Sequence, residues 1–268
     1  MAIGWTDITM LGTTVREPEV RYTAEALAVM QVDLAGNDRQ VDEDGVLRER
    51  PWYHRITAYG RQAERIMDRL PVGARLFVHG HLQQRSVQQP DGRLRHTLDV
   101  VADRLELFDW GQLDPSSEVV LDAKQQPRLK NAKNQVRLIG NVVRDADVRD
   151  VPNGGALGRV SLAVNTARKP DGEARTHFVD VTAWREHAEA CRGLQKGVPA
   201  YVEGRLVTET WAGNDGVRRW ATRVEARRIE RIQRFEPRAS LEAPDVPAPA
   251  EANPQVASVS PQQGLKSA

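Results

Sequence analysis

The sequence predicts an all-β protein of two tandem five-stranded barrels, each with one short helix, followed by a C-terminal tail without stable structure. Three observations predict it: one unit occurs twice in the same order, each copy alternates apolar and polar residues at strand period, and the chain turns rich in Pro, Ala, Ser and Gln after position 235.

The repeat is plain to read. Ile8-Thr9-Met10-Leu11-Gly12 through Val15-Arg16-Glu17-Pro18-Glu19-Val20-Arg21 returns 128 positions later as Val136-Arg137-Leu138-Ile139-Gly140 through Val143-Arg144-Asp145-Ala146-Asp147-Val148-Arg149. Tyr53…Thr57-Ala58-Tyr59 then matches Phe178…Thr182-Ala183-Trp184, and Gly73…Val78-His79-Gly80-His81-Leu82 matches Gly197…Val202-Glu203-Gly204-Arg205-Leu206. The offset drifts only from 128 to 124, so the domain is duplicated.

Within each copy the elements follow in order. Met30–Leu34 and Val160–Val164 alternate as half-buried strands do. Ala63, Ile66, Met67 and Leu70 fall at helical spacing, which predicts an amphipathic helix over Arg61–Leu70; His187, Ala190, Cys191 and Leu194 predict its counterpart over Glu186–Leu194. Asp44-Gly45, Asp91-Gly92, Asp171-Gly172 and Asp215-Gly216 are reversing turns. Five strands with a helix between the third and fourth is the order of an OB-fold Greek-key barrel. Domain 1 is expected over 1–112, a linker over 113–133, domain 2 over 134–235 and the tail over 236–268. Val119-Val120-Leu121 gives the linker enough apolar surface to pack on a barrel. The tail, rich in Pro, Ala, Ser and Gln, cannot bury enough surface to offset its ordering entropy.

Composition narrows the function. At 40% hydrophobic and 28% charged, the chain has the balance of a soluble globular protein. No apolar run is long enough for a membrane span, the start does not read as a secretory signal, and a single cysteine, Cys191, permits no internal disulfide. A reducing cytoplasm is therefore expected. Charge is unevenly spread: residues 1–112 carry 14 Lys+Arg against 17 Asp+Glu, whereas residues 130–235 carry 20 against 13. A basic second half points to a polyanionic partner.

The third strand of each copy is the sharpest signal. Val179, Val181 and Ala183 form its apolar face, so Phe178, Asp180, Thr182 and Trp184 face the other way; in the first copy that face reads Tyr53, Arg55, Thr57, Tyr59. Large aromatics beside polar groups suit flat nucleobases, which stack at about 1–3 kcal/mol each without regard to sequence. An oligomer interface gathers the same residue types and fits the strand equally well. Trp211 precedes a hairpin tip that projects as a finger, with little core to enter. Trp220 on the returning strand shares a face with Thr222, Val224 and Ala226, so stacking and core readings both stand for it. Candidate phosphate partners are Arg55 and Arg85 in the first copy, and Arg168, Lys169, Arg205, Arg218, Arg219 and Arg223 in the second. No nucleophile–base pair is visible, and no cofactor or metal is expected. His79 and His81 stand two apart, but no Cys or carboxylate set completes a metal site, and the second copy has Glu203 and Arg205 there. Gly154-Gly155 lacks the Lys and Ser/Thr of a phosphate loop and reads as a turn.

Over nearly all of residues 5–235 these features resemble the bacterial single-stranded DNA-binding protein family. The marks are Gly12…Arg16-Glu17-Pro18-Glu19-Val20-Arg21-Tyr22, Trp52-Tyr53-His54-Arg55 and Tyr59-Gly60-Arg61-Gln62-Ala63-Glu64 in the first copy. The second has Gly140-Asn141…Arg144-Asp145, Pro152-Asn153-Gly154-Gly155-Ala156 and Lys196-Gly197…Tyr201-Val202-Glu203-Gly204-Arg205-Leu206. The resemblance implies binding of single-stranded DNA in replication, recombination and repair, a nucleoid-associated location, and the branch in which two chains give four OB folds. It implies stacking on Tyr53, Tyr59, Phe178, Trp184 and Trp211. Val87 stands where a finger aromatic is usual in the first copy, no aromatic follows the second strand in either (Gln40 or Val41, and Arg168, lie there), and Asp180 replaces the Arg matched by Arg55. The second barrel is thus expected to supply most of the affinity. Relatives carry an acidic tip ending in Pro-Phe that docks replication and repair enzymes; here the last residues are Gln262-Gln263-Gly264-Leu265-Lys266-Ser267-Ala268, which leaves recruitment by that route without its residues.

Overall fold

The computed structural model describes residues 4–41, 45–88, 92, 94–152, 155–165, 175–212, 216 and 218–233. β-branched and apolar residues recur at every second position along its strands, and they point into two barrel interiors.

The first barrel runs β1 (Trp5–Thr14), a short β2 (Glu19–Tyr22), β3 (Ala28–Val41), β4 (Leu47–Tyr59), α1 (Arg61–Glu64), β5 (Arg75–Gln88) and β6 (Leu94–Phe108). Neighbours around it are β1–β3–β4–β6–β5–β1, with β4 and β6 parallel at Ile56↔Val100 and the other pairs antiparallel. That is the OB order. The second barrel repeats it with β9 (Lys133–Val142), β10 (Asp147–Asp150), β11 (Ala156–Asn165), β12 (Thr176–Trp184), α3 (Glu186–Glu189), β13 (Pro199–Ala212) and β14 (Arg218–Arg231). Five strands close each barrel, and β2 and β10 extend its outer face by pairing with β3 and β11.

Ile8, Met10, Met30, Leu34, Ile56, Leu76 and Val78 fill the first interior; Leu138, Leu162, Val179, Val181, Val202, Leu206 and Val224 fill the second. Gly80 and Gly204 each sit at a bulge where a Cβ would meet a carbonyl oxygen of the neighbouring strand at 2.0 Å, so neither place admits a side chain. The bulge at His79/Gly80 also separates the two histidines: His79 Nε2 meets Asp7 at 2.7 Å, and His81 Nδ1 meets Asp103 at 3.0 Å.

The helices are shorter than the ten- and nine-residue amphipathic runs expected. One α-turn, Arg61–Glu64, gives way to a 3-10 turn over Met67–Arg69, and α3 spans only Glu186–Glu189. The buried residues of the second copy are Ala188, Cys191 and Leu194, spaced by three, while Ala190 is exposed. Three-residue spacing is the 3-10 period, and Ile66, Cys191 and Leu194 each donate a backbone bond to the carbonyl three residues earlier. Burial pushes the Cys191 thiol up to about 11, which leaves it a packing residue.

Residues between the barrels are structured. Pro115–Glu118 is a helical turn (α2), and β7 (Val119–Leu121) with β8 (Pro127–Leu129) is a hairpin paired to β3 at Gly36↔Leu129. Leu129 is buried, and the Thr13 hydroxyl donates to the Pro127 carbonyl at 3.2 Å.

The barrels join edge to edge. β1 and β9 pair antiparallel from Trp5↔Ile139 to Leu11↔Lys133, which makes one sheet in the order β6-β5-β1-β9-β13-β14. Asp7 is buried at this seam and accepts from Arg137 Nη2 at 2.6 Å. Beside the seam, Asn134 holds the Leu206 backbone through two bonds, and His54 Nε2 of the first barrel donates to the Leu206 carbonyl of the second at 2.9 Å. Full burial, with Arg205 nearby, pushes the His54 imidazole down to about 4, the Leu206 bond only partly opposing this. Between pH 6.5 and 4 the unfolded chain takes up a proton at His54 that the folded chain refuses, so stability falls as pH falls, by on the order of 3 kcal/mol. Urea unfolding of wild type and His54→Gln across that range should give a shallower loss in the variant; parallel curves would contradict the assignment.

Candidate nucleic-acid interface

The outer faces of β4 and β12 are built alike. Across each sheet an aromatic stands beside a small or apolar neighbour: Tyr53 by Ala35 and Tyr59 by Val29, then Phe178 by Ala163 and Trp184 by Leu157. Side-chain alternation drives Val179, Val181 and Ala183 into the core and their neighbours outward. The six aromatics singled out from the sequence, Tyr53, Tyr59, Phe178, Trp184, Trp211 and Trp220, are all between 37% and 49% exposed. None is sealed in an interior. Trp220 shares its face with buried Val224 and Ala226 but lies further along β14, opposite Thr210, where the β13–β14 hairpin has left the barrel wall. Trp211 lies on the same finger, and Val87 on the first barrel's finger is exposed. The rings on each strand are six positions apart, about 20 Å at strand rise, room for several nucleotides.

Charge on the two faces is arranged differently. In the first barrel Asp33 accepts from Arg55 Nε at 2.8 Å and from Arg16 Nε at 2.7 Å, and Arg16 also pairs with Glu19 at 3.0 Å. Burial raises the Asp33 carboxyl, with Arg16 pulling the other way. In the second barrel the matching cross-strand pair is Ser161 and Asp180, the hydroxyl donating at 2.5 Å. Arg149 binds Asp147 at 2.9 Å and holds that carboxyl below its ordinary range. Arg149 and Arg159 lie across the sheet from Leu157 and Asp147. Neither was among the residues read from the sequence, although alternation along β11 puts Arg159 on the face of Ser161, opposite Val160 and Leu162.

Of the expected phosphate partners, Arg55, Arg85 and Arg223 are at the surface, each held by an acid: Asp33, Asp99 at 2.8 Å and Glu209 at 3.1 Å. Arg205 is a correction. Its side chain is 7% exposed and bound to Glu225 at 2.9 Å, with Asp38 of the first barrel 3.9 Å away, so it braces the junction and presents nothing to solvent. Arg218 and Arg219 lie on β14 opposite Ala212 and Trp211, but their side chains fall outside the described residues, as do Arg168 and Lys169 entirely. The Gln40 side chain falls outside them too.

One contact at this site comes from between the barrels. The Tyr53 hydroxyl donates to Asp122 Oδ2 at 2.7 Å, just beyond β7. Burial first, then this bond, push the Tyr53 phenol up to about 12. Among the described residues no three His, Cys, Asp or Glu side chains cluster as metal ligands would, and no helix is long and apolar enough to cross a membrane.

The Single-strand binding protein family model matches residues 5–108 and again 133–232, one match per barrel. A single-stranded DNA-binding protein of Thermus aquaticus is 44% identical over 234 residues, covering 87% of each chain. One from Deinococcus radiodurans is 39% identical over 238 residues, covering 87% of this chain and 77% of its own. The crystal structure of the wild-type Thermus aquaticus single-stranded DNA binding protein superposes with a TM-score of 0.71 at 38% identity, covering 89% of this chain and 98% of that one. With both barrels matched and relatives of this identity spanning most of its length, the chain belongs to the single-strand binding protein family.

Proposed function

We propose that the protein coats single-stranded DNA without sequence preference, protecting strands opened in replication, recombination and repair. The observation that carries this is the exposure of aromatic rings on β4 and β12, whose opposite faces are buried and mostly apolar, and on the β13–β14 finger. Bases stack on Tyr53, Tyr59, Phe178, Trp184, Trp211 and Trp220, while phosphates compete with the acids for Arg55, Arg85 and Arg223. Named relatives being single-stranded DNA-binding proteins supports the same reading.

The second barrel supplies the larger share of affinity. It holds Phe178, Trp184 and Trp211 where the first has two tyrosines and Val87, and it lies in the basic half of the chain. In titrations of oligo-dT against the full chain, Trp184→Ala with Trp211→Ala should weaken binding by about tenfold or more, and by more than Tyr53→Ala with Tyr59→Ala. The reverse order would refute the ranking, and preference for oligo-U over oligo-dT in direct competition would refute the DNA reading.

Two chains assemble through the outer face of the joined sheet, giving four OB folds. Rows across that face bring half-buried Phe77 beside Leu11 and stacked on exposed Phe108, and exposed Trp5 beside half-buried Ile139 and Tyr201, with polar and charged residues such as Thr9, Gln135 and Arg137 between them. Light scattering should give twice the mass of one chain, and Leu11→Lys with Ile139→Lys should reduce it to one. A wild-type monomer would overturn the assembly.

A further inference from the structure

The β13–β14 finger of the second barrel lies beside the outer face of β4. Between them runs a groove of about 440 Å³ with Tyr53, Arg55 and Arg85 on the first barrel's side and Thr208, Trp220 and Thr222 on the second's. His54 and Leu206, bonded across the junction, line it as well. The volume lies within the range of about 300–1,000 Å³ of pockets that bury a small ligand. It offers an aromatic ring on each wall, two guanidinium groups, that of Arg85 paired with Asp99 of the lining at 2.8 Å, and the paired hydroxyls of Thr208 and Thr222, 3.2 Å apart, a combination that suits a nucleotide.

The reciprocal crossing is hydrogen-bonded as well. On the first barrel's finger, Gln84 donates its backbone N–H to His177 Nδ1 at 3.2 Å, and its side-chain carbonyl accepts from the Phe178 backbone N–H at 3.2 Å. Those two bonds close that finger onto β12.

We propose that this groove is a nucleotide subsite belonging to neither barrel alone, where a strand leaving the outer face of β4 passes between Tyr53 and Trp220 on its way to the second barrel. The inference rests on the single-stranded DNA reading and deepens it. It assigns Trp220 to the first barrel's site: the barrel with fewer aromatics borrows one from its neighbour.

A double-mutant cycle on the full chain tests this, using anisotropy of labelled oligo-dT. Residues that share one bound nucleotide run lose affinity non-additively, whereas independent sites multiply. Tyr53→Ala and Trp220→Ala should each weaken binding, and their combination should fall short of the product of the two losses by about threefold or more. Trp184→Ala combined with Trp220→Ala, the reference pair, should give the full product. If the Tyr53 and Trp220 losses multiply as the reference pair does, or if Trp220→Ala alone changes nothing, the shared subsite is wrong while DNA binding stands. If wild type fails to bind oligo-dT, the parent reading is wrong as well.

Discussion

The antiparallel pairing of β1 with β9 is the constraint from which the rest follows. Within the first barrel β3 covers only Thr13 and Thr14 at one end of β1, so the other half of that edge would stand open. An unpaired edge is a template for unwanted association, and β9 fills it over seven residues. Register is set by charge as well as by backbone. Asp7 is nearly inaccessible to solvent, and a buried carboxylate is tolerable only when it is paired. Its partners, His79 on the adjoining strand of the same barrel and Arg137 directly across the seam, satisfy it in one register. A slip by one residue would turn the side chains of β9 to the opposite faces and strand that charge.

Once the seam is fixed, the fingers must cross. Each hairpin leaves its own barrel beside the third strand of the other, where His54–Leu206 and Gln84–His177 hold the contacts. The aromatic faces thus lie on one continuous body. Most of the arginines at these faces are already held by a carboxylate, so a phosphate gains only the difference between its own attraction and that of the acid it displaces. Attraction of that kind is modest at each contact and sensitive to salt. In the proposed reading ring stacking, which salt hardly touches, would then carry proportionally more of the affinity.

Much of this was legible in the sequence. Duplication gave the two barrels, and period-two alternation around Val179, Val181 and Ala183 gave the outward placement of Phe178 and Trp184. What escaped depends on partners distant in the chain. Alternation along β13 could not reveal that Arg205 is enclosed, because Asp38 belongs to the other barrel and Glu225 to another strand. The apolar run Val119-Val120-Leu121 signals packing on a barrel but not the hairpin, since its strands are three residues each and pair in part with β3. The helices are shorter than their spacing predicts because Ile66, Met67 and Leu70 also fit a period near three and a half, and only the backbone bonds decide between that and the 3-10 spacing. Arg159 was within reach of the alternation already applied to β12.

The proposed function rests on exposed rings that unpaired bases would cover. Intrinsic tryptophan emission reads this directly, because Trp184, Trp211 and Trp220 are exposed whereas Trp52 is buried. Adding poly-dT should quench that emission to a saturating limit. Emission that stays unchanged while the same DNA is shown to be bound would mean that the bases lie elsewhere.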